Sequence, residues 1–207
     1  MTNKDAVNAD VTSASAAKIL EAATDLFAKD NFNAVSIKAI GAASGVNSAL
    51  ISYYFGGKKN LYQEVLKTQS EVFWQLIEKV RAEDGTPLDK LHSYVDGIAK
   101  LQADRPHRIH LIYRELLSPV PMFENFVKTR LYKIHQFMTE LVAEAIEQKQ
   151  LAATIQPTHV AFTLESIIMF FFLTRSQVRD LGNFADGAES DYLYQALDTY
   201  LAALSCK

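Results

Sequence analysis

The chain has 207 residues, 49% hydrophobic and 22% charged, which is enough apolar material for one large core or two small ones and excludes wholesale disorder or a collagen-like repeat. Eight glycines and five prolines are too few for an all-β sandwich, which needs a turn residue every ~8–12 positions, so helix is the default. The single cysteine, Cys206, excludes an internal disulfide and a Cys-based zinc site, and a net charge of −3 confines any nucleic-acid contact to a local basic surface.

Residues 1–12 are polar and aperiodic and read as a disordered tail. Ile19, Leu20, Ala23, Leu26 and Phe27 then repeat at helical spacing, predicting a first helix from a cap at Ser13 or Ser15 to just before Asn31. Ser36 caps a second, short helix carrying Ile37, Ile40 and Ala43, and Gly45 stops it. Asn47 caps a third, with Leu50 and Ile51, ending at Tyr53-Tyr54-Phe55 before Gly56-Gly57. From Leu61 to Val80 the apolar positions continue for about five turns, long enough to connect two modules. Thr86-Pro87-Leu88-Asp89 carries the cap, proline and acid of a helix start, and this fifth helix runs to about Ala103. Pro106 opens the sixth, Ser118-Pro119-Val120-Pro121 closes it, and Phe123 to about Lys149 forms the seventh. Pro157 opens the eighth and Ser190 the ninth. With no strand pattern and no internal repeat, the fold class is all-α, divided into a three-helix domain over 13–57 and a helical C-terminal domain over 58–207.

The second helix, its glycine turn and the third helix have the spacing of a helix-turn-helix. Gly41 is the small residue where the helices cross, Gly45 makes the turn, and Ile51 locks the second helix onto the first. The same spacing also serves a plain helical corner. The stretch SAAKILEAATDLFAKDNFNAVSIKAIGAASGVNSALISYYFGGKKNLYQEVL, a quarter of the chain, resembles the DNA-binding domain of TetR/AcrR-type transcriptional regulators. Gly41 stands where that family usually has alanine, which is expected to loosen the second helix by about 0.5–1 kcal/mol.

The resemblance implies a third helix that enters the major groove by its N-terminal end, so that Asn47, Ser48, Ala49 and Leu50 meet base edges or the adjoining backbone. Tyr53 and Tyr54 are then expected on phosphates, joined by the Ser36 hydroxyl and the Lys58 ammonium. Ser52 stands where a phosphate-contacting tyrosine is common, which weakens that one contact. Residues 36–67 hold Lys38, Lys58, Lys59 and Lys67 against Glu64 alone, so this segment is basic in an acidic chain. So few phosphate contacts require two subunits on one site.

In the eighth helix, Ile167 to Leu173 is apolar all round and must be covered on every side. The run is short of the ~18 residues that span a bilayer and is flanked by Glu165 and Arg175, so no membrane is expected. A second copy of the chain would cover it, which resembles the family's four-helix dimer interface. Ile168, Phe171, Phe172 and Arg175 are expected there from the eighth helix, with Phe171 outward, and Leu197, Tyr200, Leu201 and Leu204 from the ninth. A monomer with a central helix is the alternative.

The resemblance further implies a small-molecule effector pocket among helices five to eight. Tyr94, His110, Tyr113, Arg114, Phe123, Phe126, Phe137, Phe162, Glu165 and Phe170 are its candidate ligand-binding residues, in a region rich in aromatics and in Met (Met122, Met138, Met169) that suits an apolar or aromatic ligand. Each of these other than Arg114 and Glu165 also serves as ordinary core. Glu165, in an apolar helix, needs Arg114, Arg175 or a ligand group as partner. The segment YRELLSPVPMFENFV resembles a subgroup of the family with an RE-LSP motif. His107 and His110 have no third ligand at metal spacing, and no metal or other cofactor is expected. Lacking G-x-S-x-G, a phosphate loop and H-E-x-x-H, the chain is not expected to be an enzyme. The expected function is a cytoplasmic, ligand-responsive repressor that binds a palindromic double-stranded DNA operator as a homodimer. The alternative is a helical adaptor that binds a protein partner through its aromatic-rich C-terminal helices.

Overall fold

The structure, a computed structural model, describes residues 3–104, 106–118, 120–182 and 188–205, with side chains at all of these except 3–13, 106–107, 126–127, 130–131, 175–182 and 188–190. Cys206 and the side chains of Phe126, His107 and Arg175 therefore lie outside the described residues. Among the described residues the chain forms α1 (Asn3–Lys29), α2 (Ile37–Ser44), α3 (Ala49–Phe55), α4 (Lys58–Ala82), α5 (Pro87–Asp104), α6 (Pro106–Leu117), a 3-10 turn (Pro121–Phe123), α7 (Glu124–Glu147), α8 (Pro157–Gly182) and α9 (Ala188–Leu204). The fold is all-α. It divides into two compact units, Met1–Val72 with Arg105–Glu124, and Phe73–Asp104 with Asn125–Lys207.

In the first unit α1 packs against α2, α3 and α6. Ile19, Ala23 and Phe27 of α1, Ile40 of α2, Ile51 of α3, Leu61, Tyr62 and Val65 of α4, and Leu111 of α6 are fully buried. This is the apolar stripe that the helical spacing predicts. The structure carries α1 back through residues read from the sequence as tail, because no proline or glycine interrupts the stretch and alanines recur in it. Local signals place α2: the Ser36 hydroxyl accepts the Ala39 N–H at 3.0 Å, and Gly45, at φ 67°, ends the helix in the left-handed region open to glycine.

In the second unit the Thr86-Asp89 capping box forms as the spacing predicts. Asp89 Oδ2 accepts the Thr86 N–H at 2.9 Å and the Thr86 hydroxyl accepts the Asp89 N–H at 3.2 Å, which holds the Asp89 carboxyl below its usual range. α8 packs on α9. Leu151 and Ser205 form an antiparallel bridge in which the Ala152 N–H reaches the Leu204 carbonyl at 2.8 Å, tying the α7–α8 loop to the end of α9.

α8 corrects the expectation for its faces. Phe171 is buried, as are Ile168, Phe172, Leu197 and Leu201, whereas Phe162 and Phe170 are 66% and 65% exposed. The buried set Val160, Ala161, Leu164, Ile168, Phe171 and Phe172 follows 3/4 spacing on one side of α8. A run that is apolar at every position carries no phase, so the sequence cannot reveal which side that is. Tyr200 and Leu204 are half-buried. Run length also understates the helix: Pro157–Thr174 is long and apolar enough to cross a membrane by length and composition, at mean hydropathy 1.4, with 33% of it buried within the protein. Its inner side belongs to the core of the second unit.

Candidate functional site

The helix-turn-helix is built around a close crossing at Gly41. A Cβ on Gly41 of α2 would lie 2.9 Å from Ser48 Cβ and 3.1 Å from the Val46 carbonyl oxygen, so the start of α3 rests directly on the α2 backbone. Ser48 is half-buried by this crossing and Leu50 is half-buried too, leaving Asn47, Ala49, Ser52 and Tyr53 as the exposed residues of this segment. The Asn47 side-chain oxygen accepts the Ala49 N–H at 2.9 Å, capping α3 and leaving the amide NH2 as its free donor.

Tyr53 is 76% exposed and its ring meets Tyr54 edge-on at 5.0 Å. Ser36 and Lys38 are exposed on the neighbouring turn and start of α2. Lys58 is more restrained: its ammonium lies 4.5 Å from the Phe32 ring centre and 3.5 Å from the Asn33 carbonyl, and burial lowers its pKa. The α1–α2 loop thus orients Lys58, a contact between residues 25 apart that local spacing does not show. Together these groups form a surface of hydroxyl, amide and ammonium donors with an exposed tyrosine, suited to phosphates and base edges.

The residues of the expected ligand set are divided between the two units. Tyr113, Arg114 and Phe123 belong to the first unit, as does His110. The Arg114 guanidinium donates to the Phe27 carbonyl in the last turn of α1. Tyr113 is buried, and burial pushes its phenol pKa up. Phe123 packs at 5.3 Å from Tyr62, which meets Phe27 edge-on at 4.6 Å. Next to Arg114 in sequence, the buried Glu115 accepts the Tyr62 hydroxyl at 2.5 Å and the Val120 N–H at 3.1 Å. Arg108 bridges Glu21 and Asp25 on α1 at 2.5 and 2.9 Å. α6 is therefore bound into the helix-turn-helix unit at three points.

In the second unit Tyr94 of α5 and Phe137 of α7 are buried together, ring centres 5.4 Å apart, while Phe162 and Phe170 face outward. Glu165 has a described partner that the sequence reading does not name. Its partner is His135, 3.1 Å away, whose other nitrogen meets Thr158 Oγ1 at 2.8 Å. Burial raises the Glu165 pKa and the His135 interaction opposes that shift. Arg114 is occupied within the first unit, and nothing in the local pattern marks His135, 30 residues away, as the partner. The sequence reading also passes over Gln102, buried on the inner side of α5 with a carbonyl oxygen that accepts no hydrogen bond. Leaving such an acceptor unpaired costs about 1–3 kcal/mol.

Comparison with known proteins extends these observations. Residues 19–65 match the family described as bacterial regulatory proteins, tetR family, and residues 66–206 match the YcdC-like protein, C-terminal region. The probable HTH-type transcriptional regulator YttP of Bacillus subtilis (strain 168) is 25% identical over 166 residues, 79% of this chain and 80% of its own. The HTH-type transcriptional regulator RutR of Escherichia coli (strain K12) is 28% identical over 146 residues, 70% of this chain and 68% of its own. A TetR family transcriptional regulator from Agrobacterium tumefaciens shares the fold, with TM-score 0.76 at 18% identity over 94% of this chain and 100% of that one. Since the two family matches run end to end from Ile19 to Cys206, across both the helix-turn-helix and the C-terminal helices, the chain belongs to the tetR family of bacterial regulatory proteins and is a transcriptional regulator, not an enzyme.

Proposed function

We propose that the protein is a cytoplasmic repressor that binds a palindromic DNA operator as a homodimer and is released by a small apolar or aromatic effector. The observation that carries the DNA reading is the exposed donor surface on a rigid α2–α3 crossing, from Ser36 and Lys38 to Asn47 and Tyr53. Ala49 offers a methyl for thymine, Leu50 and Ser48 support the crossing, and Ser52, Tyr54 and Lys58 complete the phosphate side. Tyr53→Ala and Lys38→Ala should weaken binding to every operator variant, Lys38→Ala lowering the salt slope by about 1. Asn47→Ser keeps a capping oxygen while losing the amide donors, and should change preference among variants. Mobility shifts on an operator panel decide this. A Tyr53→Ala protein with altered preference and full affinity would sink the assignment.

The dimer reading now rests on the other side of α8. Phe162 and Phe170 are large, apolar and exposed on a helix whose remaining apolar side is already buried, and Tyr192 of α9 is 47% exposed. Phe170→Glu should give a folded monomer at micromolar concentration that no longer binds a full palindrome. Phe171→Ala should instead cost about 3–5 kcal/mol of stability as a core deletion. Sedimentation and thermal melting separate the two, and a Phe170→Glu dimer of wild-type affinity would refute this face.

An effector in the second unit, near Tyr94, Phe137 and the Glu165–His135 pair, would act on DNA binding through α4, whose residues are divided between the units at Val72 and Phe73. By linkage it releases DNA only to the extent that it prefers the non-binding arrangement, with couplings of ~1–3 kcal/mol typical.

A further inference from the structure

Tyrosines aside, Thr24, Ser70, Gln102 and Glu115 are the buried residues with polar side chains among the described residues, and they are not alike. Thr24 donates to the Leu20 carbonyl at 2.7 Å and Ser70 to the Lys67 carbonyl at 2.8 Å. Glu115 accepts from Tyr62 and Val120. Gln102, 5% exposed, is the exception: its Oε1 is out of water and accepts no hydrogen bond. Two further oxygens share this state, Thr139 Oγ1 and Gln150 Oε1, but they belong to half-buried residues.

Position 102 closes the inner stripe of α5, which runs through Leu91, Tyr94, Val95 and Ile98, all buried. Helical spacing calls for an apolar residue there. An amide oxygen in that place loses its hydration without gaining a partner among the described residues, and such a group is retained at a cost to stability unless something else satisfies it. One turn back along α5 stands Ile98, and one turn further Tyr94, whose ring packs on Phe137. The inner stripe of α5 that leads to Gln102 is thus apolar and aromatic.

We propose that Gln102 is the polar recognition element of the effector site, accepting a hydrogen bond from an N–H or O–H of a ligand whose body is apolar or aromatic. This rests on reading the second unit as the one that receives the effector. An amide oxygen accepts and does not donate, so phenols, N–H heteroarenes and primary amides fit. Ethers and N-alkylated analogues of the same shape do not, and a carboxylate would set acceptor against acceptor.

The test is calorimetric titration of the full chain with matched probes: phenol and anisole, indole and 1-methylindole, benzamide and N,N-dimethylbenzamide. In at least one pair the donor-bearing member should bind about tenfold more tightly. Gln102→Met, similar in length but without the acceptor, should bring that pair to parity, with circular dichroism confirming its fold. Should Gln102→Met fail to fold, the discrimination by the wild-type protein decides alone. Binding of both members with equal affinity overturns the role of Gln102 and leaves the effector reading standing. Failure of every probe to bind overturns both. Discrimination that persists in folded Gln102→Met assigns the oxygen to a buried water and overturns the proposal.

Discussion

Gly41→Val is expected to lower operator affinity about ten- to a hundredfold, because overpacking of this kind costs about 1–3 kcal/mol and the strain falls on the helix that reads DNA. The atoms a new Cβ meets are Ser48 Cβ, Ser48 Cα and the Val46 carbonyl oxygen. None is the end of a flexible side chain, so α3 must shift as a body. Gly41→Ala is the sharper comparison. Helix propensity favours alanine by about 1 kcal/mol, and the sequence alone suggests that glycine loosens α2. With the crossing known, that gain should be cancelled and operator affinity should fall. Thermal melts and mobility shifts of the two variants check this. An alanine variant that is stabilised by the full propensity difference and keeps wild-type affinity would show that the crossing has room to give.

Glu115→Ala should destabilise the protein by about 2–6 kcal/mol, since it strands two donors, the Tyr62 hydroxyl and the Val120 N–H, at ~1–3 kcal/mol each. Tyr62→Phe removes only one donor from the buried carboxylate and should cost about 1.5–3 kcal/mol. The double variant Tyr62→Phe with Glu115→Ala takes away both partners of the main bond and should be less destabilised than the sum of the single effects. Urea denaturation of all the variants closes the cycle. Strict additivity would mean that the 2.5 Å contact contributes nothing beyond its parts.

These two sites also mark where reading the sequence succeeds and where it fails. Ser36 with Ala39, Gly45, Thr86 with Asp89, Pro106 and Pro157 act within three or four residues of themselves, and each of these helix ends stands where spacing alone predicts it. Gly41 belongs to the same class, since the turn that follows it brings Ser48 back within seven positions. Arg114 meets Phe27 across 87 residues and Tyr62 meets Glu115 across 53. Such pairings depend on how α6 is laid against α1 and α4, which no local pattern encodes, so the sequence does not show that Arg114 holds the end of α1 or that Phe123 packs on Tyr62. The side of α8 facing inward was hidden for a different reason. Polar residues are what give a helix a legible phase, and Ile167 to Leu173 contains none.

The bridge between Leu151 and Ser205 has a kinetic consequence. The last turn of a helix ordinarily opens first, because its carbonyls have no partners ahead of them. Here the Leu204 carbonyl receives the Ala152 N–H, and Ser205 is paired across to Leu151. The final turn of α9 is therefore fastened to the α7–α8 loop. Opening at this point is expected to involve the loop and the helix end together, so that amide hydrogens there should exchange with solvent more slowly than those of a freely fraying helix end.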